Sequence, residues 1–331
     1  MTSVHSSPLK EAQFHTLNLS SLLSRDEDEL ASLLAACEND GFFYLDLRNW
    51  ESGKILRQLD VTGQIMKRWF TEPLEQKLKT ETATHAHGYK PLGLHPGVTE
   101  NSRDGFEALR LGRVNLLNQT HLPDVVTTHL DEFQQLQNSA HYILLSLLEC
   151  LSYVAVVQDQ DRYELYHPSE QTSKTSLLFL HYPADDASEH IEPRGHNSHT
   201  DAGTLTFLFV ESPGLQVLSP KTNDWEYVTP KPGHAIINVA DTLRFVSKKR
   251  FRSVLHRVLP PGGKMVADRY STAYFLRAGD KTVFQGLNGE KFTAEEWFVS
   301  KYDSFKKTLR EQESNPVATG GMAQDLGVRI Y

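Results

Sequence analysis

His199-Thr200-Asp201, in the middle of the chain, is the triplet whose residue types and spacing offer chemistry. The run after it, residues 204–210, is rich in Thr, Leu, Phe and Val, so the segment reads as extended. In an extended chain residues i and i+2 point to the same face, which lets the His199 imidazole and the Asp201 carboxylate converge on one point. A neutral imidazole beside a carboxylate is two thirds of the two-histidine, one-carboxylate set that holds Fe(II) and leaves neighbouring positions open. Alone, the triplet proves little. In 331 residues with 15 histidines one His-x-Asp is expected by chance, and a second does occur at His129-Leu130-Asp131. That copy lies in a stretch whose pattern predicts helix, where i and i+2 face apart. It reads as solvated surface.

The candidate for a third ligand is His256, in Arg252-Ser-Val-Leu-His-Arg-Val258. Val254, His256 and Val258 share one face of a predicted strand, so the imidazole points inward among apolar neighbours. On that pattern alone a packed core residue is the more common reading. Further on, Arg269 and Ser271 again occupy i and i+2. An arginine and a hydroxyl aimed together into a core make a fork for a carboxylate, because guanidinium binds carboxylates with two parallel hydrogen bonds. A buried arginine without an anion is costly, so an acid belongs there, from the protein or from a ligand.

These groups need elements to hold them. From residue 174 on, short β-rich runs alternate with turn clusters: 176–182, 204–210, 215–218, 225–228, 235–239, 254–258 and 271–276. Their spacing predicts a sandwich or jelly roll, the cupin-like double-stranded β-helix. Ahead of it the periodicity predicts strands at 14–19, 42–46 and 106–111. Helices are predicted at 24–41, 53–70, 74–80, 123–157 and 160–167. A last helix is predicted from 293 to about 313, followed by a tail. The expectation is an α+β fold in one integrated domain. Residues 1–173 form a helical and mixed region packing on the core, 174–292 the jelly roll, and 293–331 the C-terminal helix and tail.

Composition narrows the function. The chain has 331 residues, a net charge of −8 and 39% hydrophobic residues, ordinary for a soluble globular protein. An acidic chain without a Lys/Arg-rich block is no nucleic-acid surface. The two cysteines, Cys37 and Cys150, form neither a disulfide framework nor a zinc spacing and read as buried thiols. The apolar stretch 142–157 is interrupted by Ser and Glu and too short to span a bilayer, so no membrane partner is expected. The start of the chain lacks the apolar segment of a secretory signal, and a cytoplasmic setting is expected.

Taken together, HTDAGTLTFLFVESPGLQVL, RFRSVLHRV and DRYSTAYF resemble the Fe(II)/2-oxoglutarate-dependent dioxygenases of the isopenicillin N synthase-like superfamily. The likeness extends to CENDGFFYLDL and WFTEPLEQKLK near the N-terminus, and so covers nearly the whole chain. The resemblance implies that His199, Asp201 and His256 bind Fe(II), and that Arg269 and Ser271 hold the distal carboxylate of 2-oxoglutarate. It also implies that Tyr182, just before Pro183, adds a hydroxyl to that carboxylate, and that O2 is the third reactant. Two departures stand out. Leu180-His181-Tyr182-Pro183 replaces the Asn-Tyr-Tyr-Pro of plant members, and Asn238-Val239-Ala240-Asp241 replaces Asn-x-Gly-Asp. Alternation with Tyr182 aims His181 at the opposite face, where a structural role is expected.

The implied reaction is oxidation of a C–H bond of a small specialised-metabolite substrate, with release of succinate and CO2. Hydroxylation is the default outcome; desaturation, ring closure and ring expansion are open to the same centre. The loop 85–112, the stretch 183–194 and the helix 294–312 are expected to surround the mouth. His87, Tyr89, Lys90, Arg110 and Arg194 are the polar candidates there, and Phe298, Tyr302 and Phe305 the candidate lid aromatics. Two rivals remain at this point. One is an isopenicillin N synthase-like oxidase that does not use 2-oxoglutarate. The other is a non-catalytic cupin-like protein that uses Arg269 to bind an organic acid.

Overall fold

The structure, a computed structural model, describes residues 10–50, 53–80, 85–99, 102–185, 195–286 and 289–327. The N-terminal half runs β1 (Thr16–Asn18), α1 (Leu19–Leu23), α2 (Glu27–Ala35), β2 (Phe42–Asp46), α3 (Lys54–Phe70) and α4 (Leu74–Lys77). It continues with β3 (Gly88–Lys90), β4 (Glu107–Gly112), α5 (Arg113–Asn118), α6 (Asp124–Thr128) and α7 (Leu130–Val154). The core follows as β5 (Ser176–Tyr182), β6 (His196–His199), β7 (Leu205–Val210), β8 (Leu215–Leu218) and β9 (Trp225–Tyr227). Then come β10 (His234–Val239), α8 (Asp241–Val246), β11 (His256–Val258) and β12 (Arg269–Leu276). The hairpin β13 (Val283–Gln285) and β14 (Lys291–Thr293) leads to α9 (Ala294–Phe305), α10 (Leu309–Ser314) and α11 (Met322–Leu326).

Two sheets make the jelly roll. The larger has the order β1-β2-β10-β7-β12-β5-β4-β3, and the smaller β6-β11-β8-β9. Strands from the first 112 residues thus form both edges of the large sheet and spare its central strands an open side. Gly41 makes the entry to β2 possible. Its φ is +67°, and a Cβ there would collide with the carbonyl oxygen of Arg252.

Register sorts the side chains of the large sheet into two sets, because directly opposed residues share a face. On one face stand Leu109, Phe179, Leu177, Tyr274, Phe207 and Ile237, which belong to the main apolar core under α2, α3 and α7. On the other face Arg269 opposes Tyr182, Ser271 opposes Leu180, Ala273 opposes Leu178 and Phe275 opposes Ser176. The inward row continues through Thr206 opposite Phe275 and Asn238 opposite Thr206. Strand β5 is buried along its whole length, which is why it reads as an almost unbroken apolar run.

Several boundaries differ from expectation. The helix expected over 123–157 breaks at His129 (φ −120°, ψ 36°), just after the β-branched Val125-Val126-Thr127-Thr128, which disfavour a helix interior. Residues 160–167 form short 3-10 turns rather than an α-helix. The C-terminal helix is two helices, because Thr308 and Glu311 form a capping box that starts a new one. The expected tail carries α11. Both cysteines are free and buried. Among the described residues no helix is long and apolar enough to cross a membrane.

Candidate active site

Strands β6 and β11 are neighbours, and His256 pairs directly with His199. Asp201 lies past the end of β6, so simple strand alternation does not place it. Instead its carbonyl accepts the Asp241 N–H at 2.8 Å, which pins the turn after the strand. The result is convergence: one ligand atom from each of His199, Asp201 and His256 lies within 4.8 Å of the others. His199 Nε2 and His256 Nε2 stand 3.7 and 3.8 Å from Asp201 Oδ1.

Hydrogen bonds behind the ligands decide which atoms are free. His199 Nδ1 lies 2.7 Å from the Asn197 carbonyl and His256 Nδ1 3.1 Å from that of Val254. A carbonyl only accepts, so Nδ1 carries the proton in both rings and each Nε2 keeps its lone pair. Asp201 Oδ2 accepts from Thr206 Oγ1 at 2.6 Å and Asn238 Nδ2 at 3.0 Å, leaving Oδ1. Burial, then the neighbouring His256, push His199 down to about 3, so it is neutral at physiological pH. Burial works against the Asp201 charge, but both imidazoles and the bonds from Thr206 and Asn238 outweigh it and hold the carboxyl below its ordinary range. Three lone pairs aimed at one point with no proton between them repel, and a divalent cation removes the repulsion. The donor set therefore fits Fe(II).

Thr200, between two of these ligands, is held by the C-terminal segment. Its hydroxyl accepts from Lys301 Nζ at 2.6 Å, and its N–H donates to the Ala318 carbonyl at 3.3 Å. Lys301 also pairs with Asp241, whose other oxygen accepts from Ser253 Oγ at 2.8 Å. Gly320 lies against the same spot with φ +56°, where a Cβ would strike Asp241 and Thr200. Helix α9 thus braces the metal strand from behind as well as facing the mouth.

A cavity of about 390 Å³ opens in front of the three ligands. Arg269 and Ser271 line it, and Arg269 is only 2% exposed. Its Nε donates to the Pro213 carbonyl at 3.1 Å and its guanidinium lies over the Tyr182 ring at 5.0 Å. Among the described residues no carboxylate pairs with it, and burial pulls its pKa down. Burial pushes Tyr182 up to about 12, so its hydroxyl stays a donor.

The other candidates divide. Tyr89, Lys90, Arg110, Tyr302 and Phe305 line the cavity. Lys90 is already paired with Asp104 at 2.7 Å, and the Tyr89 hydroxyl donates to Glu107. His87 lines it too, but its ring bridges the Gly112 N–H and the His121 carbonyl, a structural task. Phe298 is a correction: it does not line the cavity but packs beneath Tyr302 with ring centroids 4.4 Å apart, because its position on α9 faces the core. Arg194 lies outside the described residues. His181 sits on the far side of the sheet from Tyr182, stacked on Tyr270 and bonded to Glu107 at 2.9 Å. Lys301 and Arg277 are among the cavity residues that the sequence reading did not single out. Alternation from Arg269 through Ser271, Ala273 and Phe275 to Arg277 was the available signal for the second.

Residues 174–278 match the 2OG-Fe(II) oxygenase superfamily, and residues 14–125 match the family described as non-haem dioxygenase in morphine synthesis N-terminal. The chain is 44% identical over 320 residues to a 2-oxoglutarate-dependent dioxygenase of Gibberella zeae, covering 96% of this chain and 95% of that one. The chain belongs to the 2OG-Fe(II) oxygenase superfamily. A 2-oxoglutarate-dependent dioxygenase of Glarea lozoyensis is 38% identical over 317 residues, with 96% and 95% of the two chains covered. Among solved structures, the Neurospora crassa protein in complex with alpha-KG and thymine superposes with a TM-score of 0.72 at 21% identity, over 88% of this chain and 96% of that one. A 2OG-Fe(II) oxygenase family protein of Caulobacter crescentus gives 0.73 at 22% identity, over 89% and 100%. These two show the jelly-roll fold. The protein is an Fe(II)- and 2-oxoglutarate-dependent dioxygenase with O2 as co-substrate, which sets aside the non-catalytic reading and the oxidase without 2-oxoglutarate.

Proposed function

We propose that His199, Asp201 and His256 hold the iron, and that Arg269, Ser271 and Tyr182 seat the distal carboxylate of 2-oxoglutarate. In this reading the enzyme oxidises a C–H bond of a small specialised-metabolite substrate, by hydroxylation or by desaturation or ring closure. The observation that carries the co-substrate assignment is a buried arginine on the cavity wall without a carboxylate partner among the described residues. Iron, 2-oxoglutarate and O2 together supply the oxidising power, releasing succinate and CO2. The protein's own residues bind and orient. Thr206 and Asn238 fix which Asp201 oxygen faces the metal. Leu178, Leu180, Leu208 and Phe275 give the substrate an apolar bed. Phe305 presents its edge to His199 at 5.7 Å and narrows the access of water.

The test is titration of 2-oxoglutarate into Fe(II)-loaded enzyme under anaerobic conditions, followed by the visible charge-transfer band. Truncating one member of a buried charge pair costs about 2–5 kcal/mol. Arg269→Ala should therefore bind 2-oxoglutarate roughly 30- to 3,000-fold more weakly, with iron content unchanged. Arg269→Lys falls between, keeping charge but losing the planar fork. Wild-type affinity in Arg269→Ala would overturn the co-substrate assignment.

A further inference from the structure

We propose that the substrate carries a carboxylate, held by Arg277 and Arg110 at the end of the cavity away from Arg269. The inference rests on the reading just given, which assigns Arg269 to 2-oxoglutarate. It starts from a charge ledger. Six cations line the cavity: Lys90, Arg110, Arg269, Arg277, Lys301 and Lys306. The three lysines are paired, with Asp104, Asp241 and Asp303 respectively. The three arginines have no carboxylate partner among the described residues. Fe(II) with the Asp201 carboxylate and a 2-oxoglutarate dianion carries one net negative charge, which Arg269 cancels. Arg110 and Arg277 are left over.

Arg277 is the stronger observation. It is 6% exposed, and its Nε is buried without a hydrogen-bond partner. Its Nη1 donates to Ser176 Oγ at 2.9 Å and to the Lys174 carbonyl, and its guanidinium lies between the Phe275 and Phe298 rings at 4.7 and 4.9 Å. The head group is therefore fixed in place, while no carboxylate among the described residues pairs with it and Asp201 acts on its charge only through space. Burial pulls its pKa down to about 10, as expected of a cation without an anion. Burying a charge in this way is costly until an anion arrives.

Arg110 lies 5.9 Å from the centroid of the same Phe275 ring, so two like charges stand near one side chain. Arg110 donates to the His85 carbonyl at 2.7 Å and to the Tyr302 hydroxyl. That hydroxyl, having accepted from Arg110, keeps its own proton to donate. Two guanidinium groups and a phenol make a receptor for a carboxylate, and they repel each other until one binds.

The register also gives a span. Ser176, which anchors Arg277, opposes Phe275, and Phe275 opposes Thr206, whose hydroxyl holds Asp201. Two strand spacings separate the anchor of the arginine from the support of the metal, roughly 10 Å. The carboxylate and the C–H to be oxidised thus sit at separate ends of the substrate.

The experiment uses matched probes: benzoate, cinnamate and decanoate, each beside its neutral carboxamide. They are titrated into Fe(II)- and 2-oxoglutarate-saturated enzyme without O2, reading the shift of the charge-transfer band. With O2, the reading is stimulated 2-oxoglutarate consumption. At least one acid should act at a concentration about tenfold or more below its amide, since a charge-assisted pair is lost in the amide. Arg277→Gln and Arg110→Gln should each bring that ratio close to one, while Arg277→Lys keeps part of it. Amides as effective as acids in every wild-type pair, or an intact acid preference in Arg277→Gln, would overturn the proposal. So would an acid that abolishes the band, because it would have displaced 2-oxoglutarate from Arg269. Should Arg277→Gln fail to fold, the half-exposed Arg110→Gln decides. The same pairs titrated calorimetrically into metal-free Arg269→Ala protein separate the two readings. Acid binding that survives there belongs to Arg277 and Arg110 whatever becomes of the co-substrate assignment, and its absence there sinks the carboxylate subsite alone.

Discussion

The two faces of the large sheet are made by alternate residues of the same strands, and they meet opposite demands. The outer face of β5, β7 and β12 presents Leu177, Phe179, Phe207 and Tyr274 to the helices, with Phe133 of α7 set edge-on to Phe179 at 5.6 Å. Its contacts are mainly apolar, with polar ties where Tyr274 meets His141 and His181 meets Glu107, each at 2.9 Å. The inner face presents Arg269, Ser271, Thr206 and Asn238, and two of these are bonded so as to leave one Asp201 oxygen free. One face gains stability from apolar packing against the helices. The other lines the cavity with a buried arginine that has no carboxylate partner among the described residues and with the two groups that hold Asp201, and the first face carries the cost of the second.

That contrast predicts that inner-face changes remove function while sparing the fold, and outer-face changes do the reverse. The largest functional effect is expected of Asp201→Ala, which removes the anionic ligand: iron content and turnover should fall to background while thermal unfolding shifts little. Phe179→Ala should cost about 3–5 kcal/mol of stability, measured by urea unfolding, with 2-oxoglutarate affinity of the folded fraction unchanged. A loss of affinity there would erase the distinction between the faces.

Lys301 sharpens the comparison because it serves both demands. Lys301→Met strands the buried Asp241 and should destabilise by about 3–5 kcal/mol. Adding Asp241→Asn should restore most of the stability. Thr200 would still lack its donor, and weakened support of a metal ligand typically costs 10- to 100-fold in metal affinity. Iron affinity fully restored in the double variant would show that the brace acts on folding alone.

A separate effect concerns pH. Burial pushes His141 and His167 down to about 4 in the folded protein. In the unfolded chain an imidazole takes its proton near pH 6.5. Between those values the unfolded state binds more protons, so stability falls as pH drops from about 6.5 towards 4. Each displaced unit is worth about 1.4 kcal/mol at most, and urea midpoints across that window read it. The smallest effect is expected at the second His-x-Asp. Asp131→Ala, exposed on the first turn of α7, should leave turnover within experimental error.

Much of the site was legible in the chain. His199, His256, Arg269 and Ser271 could be read from residue type and alternation, because a strand's period of two is a local property. Alternation with Tyr182 also marked His181 as facing away from the cavity. Helix ends were read less well: Thr308 with Glu311 was a visible capping box, whereas the break at His129 is a local conformation that the helical periodicity on either side conceals.

What the chain could not show depends on contacts between segments far apart in sequence. The Asp201 carbonyl held by Asp241, Thr200 gripped by Lys301, and Gly320 packed on both join segments forty or more residues apart. The sequence by itself determined which residues face the same way along each strand, because backbone geometry sets that within a few residues. Only the tertiary structure decided which of those faces meet, which cations find an acid, and which arginines are left with their charge unanswered, because each of these depends on which distant segments pack together.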